Sequence, residues 1–137
     1  MSEHDIPRPG PLDDRLLLHA QFPRNLELLA SLSGWAKGVG KCGDSLEVTI
    51  RVDGERIDAI KVLPNGCIYT VACASAMSEL AAGMTIERAL ELSPEDVEKA
   101  LGGLPADHLH CARLAINTLG EAISDHYQKT AARAVER

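Results

Sequence analysis

The chain has 137 residues, enough for one domain with a modest core, and a formal net charge of −6 with both signs well mixed. Without a basic cluster it is a poor partner for nucleic acid or an anionic membrane, since both require a concentrated positive face. No apolar run is long enough to cross a bilayer and no charged-then-apolar leader follows Met1, so the expectation is a soluble cytoplasmic protein with neither kind of partner.

Residues 1–11, MSEHDIPRPGP, are polar and hold three prolines, which reads as a disordered arm. A single domain is expected over 12–130, with a flexible tail at 131–137. LDDRLLLHAQ reads as a short helix whose Asp13 and Asp14 suit the positive end of its dipole. The following stretch, FPRNLELLASLSGWAKGVGK, has no decided pattern; Gly34, Gly38 and Gly40 suggest a flexible loop running up to Cys42.

The next segment is clear. SLEVTIRV alternates Leu46, Val48, Ile50 and Val52 with polar residues, the period of a half-buried strand. Asp53-Gly54 is a hairpin signal, RIDAIKVLP returns as the partner strand, and Pro64-Asn65-Gly66 predicts a turn directly before Cys67. From Tyr69 to Ala82 the pattern is helical, with Cys73, Met77, Leu80 and Met84 on one stripe. TIERALEL is a short helix. Ser93-Pro94-Glu95-Asp96 opens another, with a serine cap and proline in the first turn, and Gly102-Gly103 closes it. From about Asp107, Leu109, Ala112, Ile116, Leu119 and Ile123 mark a long amphipathic helix.

Four cysteines stand out: Cys42, Cys67, Cys73 and Cys111. They form no CxxC pair, so a zinc ribbon or thioredoxin-like motif fits poorly, and cytosolic thiols stay reduced. Any joint site must be assembled by tertiary folding. Cys111 falls off the apolar stripe of its helix and near the helix start, where backbone N–H groups would lower its pKa; Cys67 has the same setting after its turn. If the chain is already extended at Cys42, Cys42 and Asp44 share a face, and Gly43 leaves room for a bulky group. Cys73 lies on the Met77 stripe and reads as core filler.

Three thiolates plus one oxygen or nitrogen donor suit zinc or iron–sulfur chemistry, with Asp44 and His110 competing for the fourth place. One replaceable ligand suits receiving and surrendering a cluster better than permanent electron transfer. His4, His19, His108 and His126 lack a clustered spacing and read as surface or satisfied histidines. No nucleophile elbow, P-loop or dinucleotide-binding glycine pattern occurs. A Cys111/His110 hydrolase is disfavoured, because adjacent helix residues diverge by about 100°.

KCGDSLEVTIRV, NGCIYTVACASAMSELAAGMT and LPADHLHCARL together resemble the U-type iron–sulfur cluster assembly scaffolds, the IscU and NifU N-terminal-domain family; HAQFPRN at 19–25 adds to the likeness. It runs from about Leu16 to Tyr127. The resemblance implies an α+β fold, a three-stranded antiparallel sheet flanked by helices with the metal site at one end. It assigns Cys42, Cys67 and Cys111, with Asp44 and His110, as ligands, and Cys111 as the first persulfide acceptor. It implies a non-enzymatic carrier that takes sulfur from a PLP-dependent cysteine desulfurase, combines it with iron, transiently holds a [2Fe-2S] cluster, and passes it to apo-proteins. Isolated members often carry zinc there, and a homodimer sharing the cluster is compatible with the resemblance. The alternative is a zinc-bound sulfur acceptor that never assembles a cluster; a structural zinc module is a third reading. LPADH stands where the family has LPPVK, which argues against handling by a dedicated Hsp70-type chaperone. The Cys67–Cys111 spacing lacks the insertion of the SufU-type branch.

Overall fold

The structure, a computed structural model, describes residues 12–136; the arm at 1–11 lies outside the described residues. Helix α1 spans Asp14–Gln21, followed by strands β1 (Gly34–Val39), β2 (Ser45–Asp53) and β3 (Arg56–Asn65). Helices α2 (Ile68–Ala81), α3 (Ile86–Leu90), α4 (Pro94–Ala100) and α5 (Leu109–Glu136) complete the order, with a 3-10 turn at Ala106–His108 feeding α5. α5 continues as helix to Glu136, within the stretch expected as a tail. Among the described residues, no helix is long and apolar enough to cross a membrane.

The sheet is antiparallel in the order β1-β2-β3, so the expected α+β fold with a three-stranded sheet is what forms. The β2–β3 hairpin turns at Gly54-Glu55, with Asp53 opposite Arg56 and Gly54 at φ +65°, a conformation that favours glycine. Leu46, Val48 and Ile50 of β2 and Ile57, Ile60 and Val62 of β3 are buried against Met77 of α2 and Leu119 and Ile123 of α5. Burying such side chains contributes about 1.5–3 kcal/mol each, the main force holding the layers together.

Three expectations need correction. The stretch read as a loop contains β1, paired along its length with β2 from Gly34↔Ile50 to Val39↔Ser45. Its glycines mark close packing. A Cβ on Gly34 would collide with the Ala122 carbonyl of α5, and one on Gly38 would collide with Thr118 Oγ1 and come within 3.0 Å of Leu114 Cδ1. At these two positions the helix lies so near the strand that no side chain fits between them.

The second correction concerns α5. Its buried face is Cys111, Ala112, Leu114, Ala115, Thr118, Leu119, Ala122 and Ile123, whereas Leu109 and Ile116 are only half-buried. Small residues dominate that face because it sits against β1 and β2. The third concerns α2, which is buried on nearly every side, from Ala72 through Ser78, so a single stripe understates it. α2 is the central helix, covered by α1, β3, α4 and α5.

α1 and the chain after it clasp α2. Asp13 caps α1, accepting from the Arg15 N–H at 2.8 Å, and the neighbouring Arg15 guanidinium holds its carboxyl down at about 2. Ser75 Oγ accepts from the Arg24 N–H at 2.7 Å and lies 2.7 Å from His19 Nδ1, while Asn25 Nδ2 donates to Ser78 Oγ at 3.0 Å. Glu27 N–H donates to the Val62 carbonyl and Val62 N–H to the Asn25 carbonyl, which covers the outer edge of β3. α4 begins as its sequence predicts, on a capping box between Ser93 and Asp96.

Candidate metal centre

Three segments meet at one end of the sheet: the β1–β2 loop, the turn between β3 and α2, and the 3-10 turn entering α5. The β1–β2 loop is closed by Gly40 N–H donating to the Asp44 carbonyl at 2.7 Å. Cys42 is exposed on a turn, so the chain is not extended there, and the expectation that Cys42 and Asp44 share a strand face does not hold. Gly43 adopts φ +84°, with open space where its Cβ would be; its role is the left-handed turn.

Asp44 is drawn inward. It is 8% exposed, and Thr70 Oγ1 donates to its Oδ2 at 2.8 Å. Two glycines make the slot: a Cβ on Gly40 would sit 2.5 Å from Asp44 Oδ1, and one on Gly66 would sit 2.6 Å from Asp44 Cβ. Asp44 Oδ1 is buried and has no hydrogen-bond partner. Buried carboxylate oxygens are almost always paired, and an orphan calls for a ligand or a strain to explain it.

Cys67 is the N-cap residue of α2 and is exposed. Partial burial works against its ionisation. The Thr70 N–H, the Thr70 hydroxyl and the Tyr69 N–H outweigh that effect and hold the thiol below its ordinary value. Here the expectation of a helix N-terminus lowering the pKa is met.

Cys111 is the opposite case and corrects the sequence reading. It is 1% exposed, part of the core-facing side of α5, and burial pushes its thiol up to about 11 even though the Thr70 hydroxyl partly favours the thiolate. Its place near a helix start does not outweigh desolvation. Thr70 Oγ1 lies 3.6 Å from Cys67 Sγ and 3.6 Å from Cys111 Sγ, so one hydroxyl touches two thiols and a carboxylate. Sequence reading did not single out Thr70; only its position one turn after Cys67 hinted at it.

His110 Nε2 lies 3.9 Å from Cys42 Sγ and 3.7 Å from Cys111 Sγ. The expected divergence of residues 110 and 111 does not keep their side chains apart. Ligand atoms of Asp44, His110 and Cys111 all fall within 4.8 Å of one another, so the two candidates for a fourth ligand stand side by side. A second such group is Cys67, His108 and Cys111. His108 was expected to be a surface or satisfied histidine, yet its Nδ1 is buried without a partner and its ring stacks on Tyr69 at 4.0 Å. The available signal was its place in HLHC, two residues before His110. Cys73 is fully buried as expected, and burial drives its thiol far up, out of reach of ordinary pH. All four cysteines are free thiols.

The profile of the NifU-like N terminal domain matches residues 13–133. The chain belongs to the NifU-like N terminal domain family. It is 38% identical over 117 residues to the iron-sulfur cluster assembly scaffold protein IscU 1 of Archaeoglobus fulgidus, covering 85% of this chain and 76% of that one. It is 34% identical over 120 residues to the scaffold protein IscU of Aquifex aeolicus, again 85% of this chain and 76% of the relative. The crystal structure of the N-terminal NifU-like protein from Brucella abortus shares the fold, with a TM-score of 0.65 at 19% identity over 85% of this chain and 94% of that chain.

Proposed function

We propose that this chain is an iron–sulfur cluster assembly scaffold, a carrier that performs no turnover of its own. It takes sulfur from a cysteine desulfurase, combines it with iron and electrons from a reductant, holds a [2Fe-2S] cluster for a time, and passes it to apo-proteins. The observation that carries this reading is the buried Asp44 carboxylate, which has one oxygen, Oδ1, without a partner and offers an oxygen within 4.8 Å of ligand atoms of His110 and Cys111. A group evolved for stability alone would have been paired; here Gly40 and Gly66 leave room for the side chain and one oxygen stays unpaired. Relatives named as IscU scaffolds support the same reading.

The donor set fits the cargo. Cys42, Cys67 and Cys111 supply soft thiolates, and Asp44 and His110 supply one harder, replaceable donor. Cys42 and Cys67 sit on exposed turns, so the cluster would be bound at the surface end of the pocket, where a recipient can reach it.

The resemblance names Cys111 as first sulfur acceptor, but in this conformation Cys111 is sealed. Cys67 is the prepared thiol: exposed, at the start of α2, and 3.6 Å from the Thr70 hydroxyl. Its thiolate would attack the outer sulfur of the desulfurase persulfide. A new S–S bond forms on Cys67, the old one breaks, and the desulfurase cysteine leaves as thiolate. Cys111 lies across Thr70 and would receive sulfur once the pocket opens.

A zinc-bound sulfur acceptor is the alternative; the same three thiolates with an imidazole or carboxylate satisfy zinc equally well. Anaerobic reconstitution with iron, cysteine and a desulfurase separates the two. The scaffold reading expects a visible-absorbing cluster that is lost in Cys42→Ala, Cys67→Ala and Cys111→Ala and kept in Cys73→Ala. Stimulated desulfurase turnover with zinc retained and no iron bound would establish the alternative.

A further inference from the structure

His108 belongs to the pocket although nothing assigned to the site uses it. Its ligand atom lies within 4.8 Å of those of Cys67 and Cys111, which are themselves within that distance of each other. Nδ1 is the buried nitrogen without a partner, while Nε2 faces the exposed Asp107 carboxylate at 3.9 Å. The ring does not wander: it stacks on Tyr69 at 4.0 Å and 22° between planes, and Tyr69 sits two residues after Cys67 in the first turn of α2. The turn that presents the thiolate therefore also fixes the imidazole.

The backbone explains how residues 108 and 110 both reach the pocket. On a regular α-helix they would point about 200° apart. Here Ala106–His108 is a 3-10 turn joined to α5 at Leu109, and the tighter winding swings His108 toward α2. The two imidazoles stand with centroids 6.0 Å apart and 31° between planes, one in each donor group. The groups Cys67/His108/Cys111 and Asp44/His110/Cys111 share only Cys111.

We propose that Cys67, His108 and Cys111 form a second divalent-cation position, next to the Asp44/His110/Cys111 position and joined to it through the Cys111 thiolate. Two thiolates and one imidazole, with a fourth place free, suit zinc or ferrous iron. The identity of the natural cation as iron rests on the scaffold reading; the existence of the position rests on this geometry. In assembly it gives an arriving metal ion a place to wait while the neighbouring donors are occupied.

The test is anaerobic titration of metal-free protein with cobalt(II), whose absorption reports thiolate ligation and four-coordination. In Asp44→Asn/His110→Ala, made in a Cys42→Ala background, the neighbouring donors are disabled and Cys67, His108 and Cys111 are intact. This triple variant is expected to bind one equivalent with thiolate charge-transfer bands. Adding His108→Ala is expected to weaken that binding at least about tenfold, as loss of even a supporting group does at metal sites. Absence of binding in the triple variant, or equal affinity with and without His108, overturns the proposal. Circular dichroism confirms folding. If the triple variant is unfolded, His108→Gln in the otherwise unchanged chain decides: cobalt uptake falling from two equivalents to one supports the position, and unchanged uptake overturns it. Cluster reconstitution on the unchanged chain is scored separately, so failure of the scaffold reading and failure of the His108 position give different results.

Discussion

The two ends of α2 treat buried polar atoms in opposite ways. In its second half, Ser75 and Ser78 are fully buried and fully occupied. Ser75 Oγ meets His19 and the Arg24 N–H, and Ser78 Oγ accepts from Asn25 and donates to the Ser75 carbonyl at 2.7 Å. At its start, Asp44 Oδ1 and His108 Nδ1 are buried and unpaired, and Thr70 is the hydroxyl that lies between two thiols and a carboxylate. Leaving a buried group unpaired costs about 1–3 kcal/mol. The closed end serves the fold, and the two open groups at the other end support the proposed guest there.

The sharpest contrast should be in thiol chemistry, because the thiolate is the reacting species. Cys67 at the open end is exposed with its pKa lowered, and Cys73, six residues on, is sealed with its pKa driven up. Alkylation of the metal-free protein, mapped by mass spectrometry, should label Cys67 orders of magnitude faster than Cys73. Equal rates would erase the distinction between the ends.

Breaking the closed end should damage stability and spare function. Ser75→Ala strands the Arg24 N–H and the His19 ring, so urea unfolding should show a loss of about 2–3 kcal/mol. Cluster loading should be unchanged. At the open end the signs reverse. Asp44→Asn retains an acceptor for the Thr70 hydroxyl and removes a buried charge, so the metal-free protein should gain about 1 kcal/mol while metal affinity drops. A destabilised Asp44→Asn protein would mean that Asp44 serves the fold.

The smallest effect is a pH dependence at the closed end. Burial lowers the His19 pKa from its ordinary value, opposed by the Glu79 carboxylate and reinforced by Arg24. Below the unfolded value of about 6.5 the unfolded chain takes up the proton first. Stability is therefore full above that pH and falls as pH drops from it toward the lowered folded value. The difference in unfolding free energy between the unaltered chain and His19→Gln should be constant above neutrality and change as the solution is acidified.

The contrast also explains what could be read in advance. The β2–β3 hairpin and α4 announce themselves because local chemistry dictates them: alternation with Asp53-Gly54, and Ser93 with Asp96. Cys42, Asp44, Cys67, His110 and Cys111 could be named from family likeness; His110 Nε2 lies 3.9 Å from Cys42 Sγ and 3.7 Å from Cys111 Sγ, and the Thr70 hydroxyl lies 3.6 Å from both the Cys67 and Cys111 thiols. β1 could not be read, because its glycines are demanded by α5, far along the sequence: Gly34 by Ala122 and Gly38 by Thr118. Cys111 was placed on the wrong side of its helix for a related reason. Where a helix presses closely on a sheet, alanine and threonine form the buried stripe, and a stripe drawn through Leu109 and Ile116 points elsewhere. His108 depends on a 3-10 turn and on Tyr69, neither visible in residue spacing.

The central claim is that donors from three separate segments form one pocket able to hold iron and sulfide together. Mössbauer spectroscopy of the anaerobically reconstituted protein tests it most directly. The account predicts equal iron and sulfide in a two-iron cluster whose iron sites differ, because one carries an oxygen or nitrogen ligand, and the loss of that signal in Cys111→Ala. Protein that keeps zinc and leaves all iron in solution would contradict it.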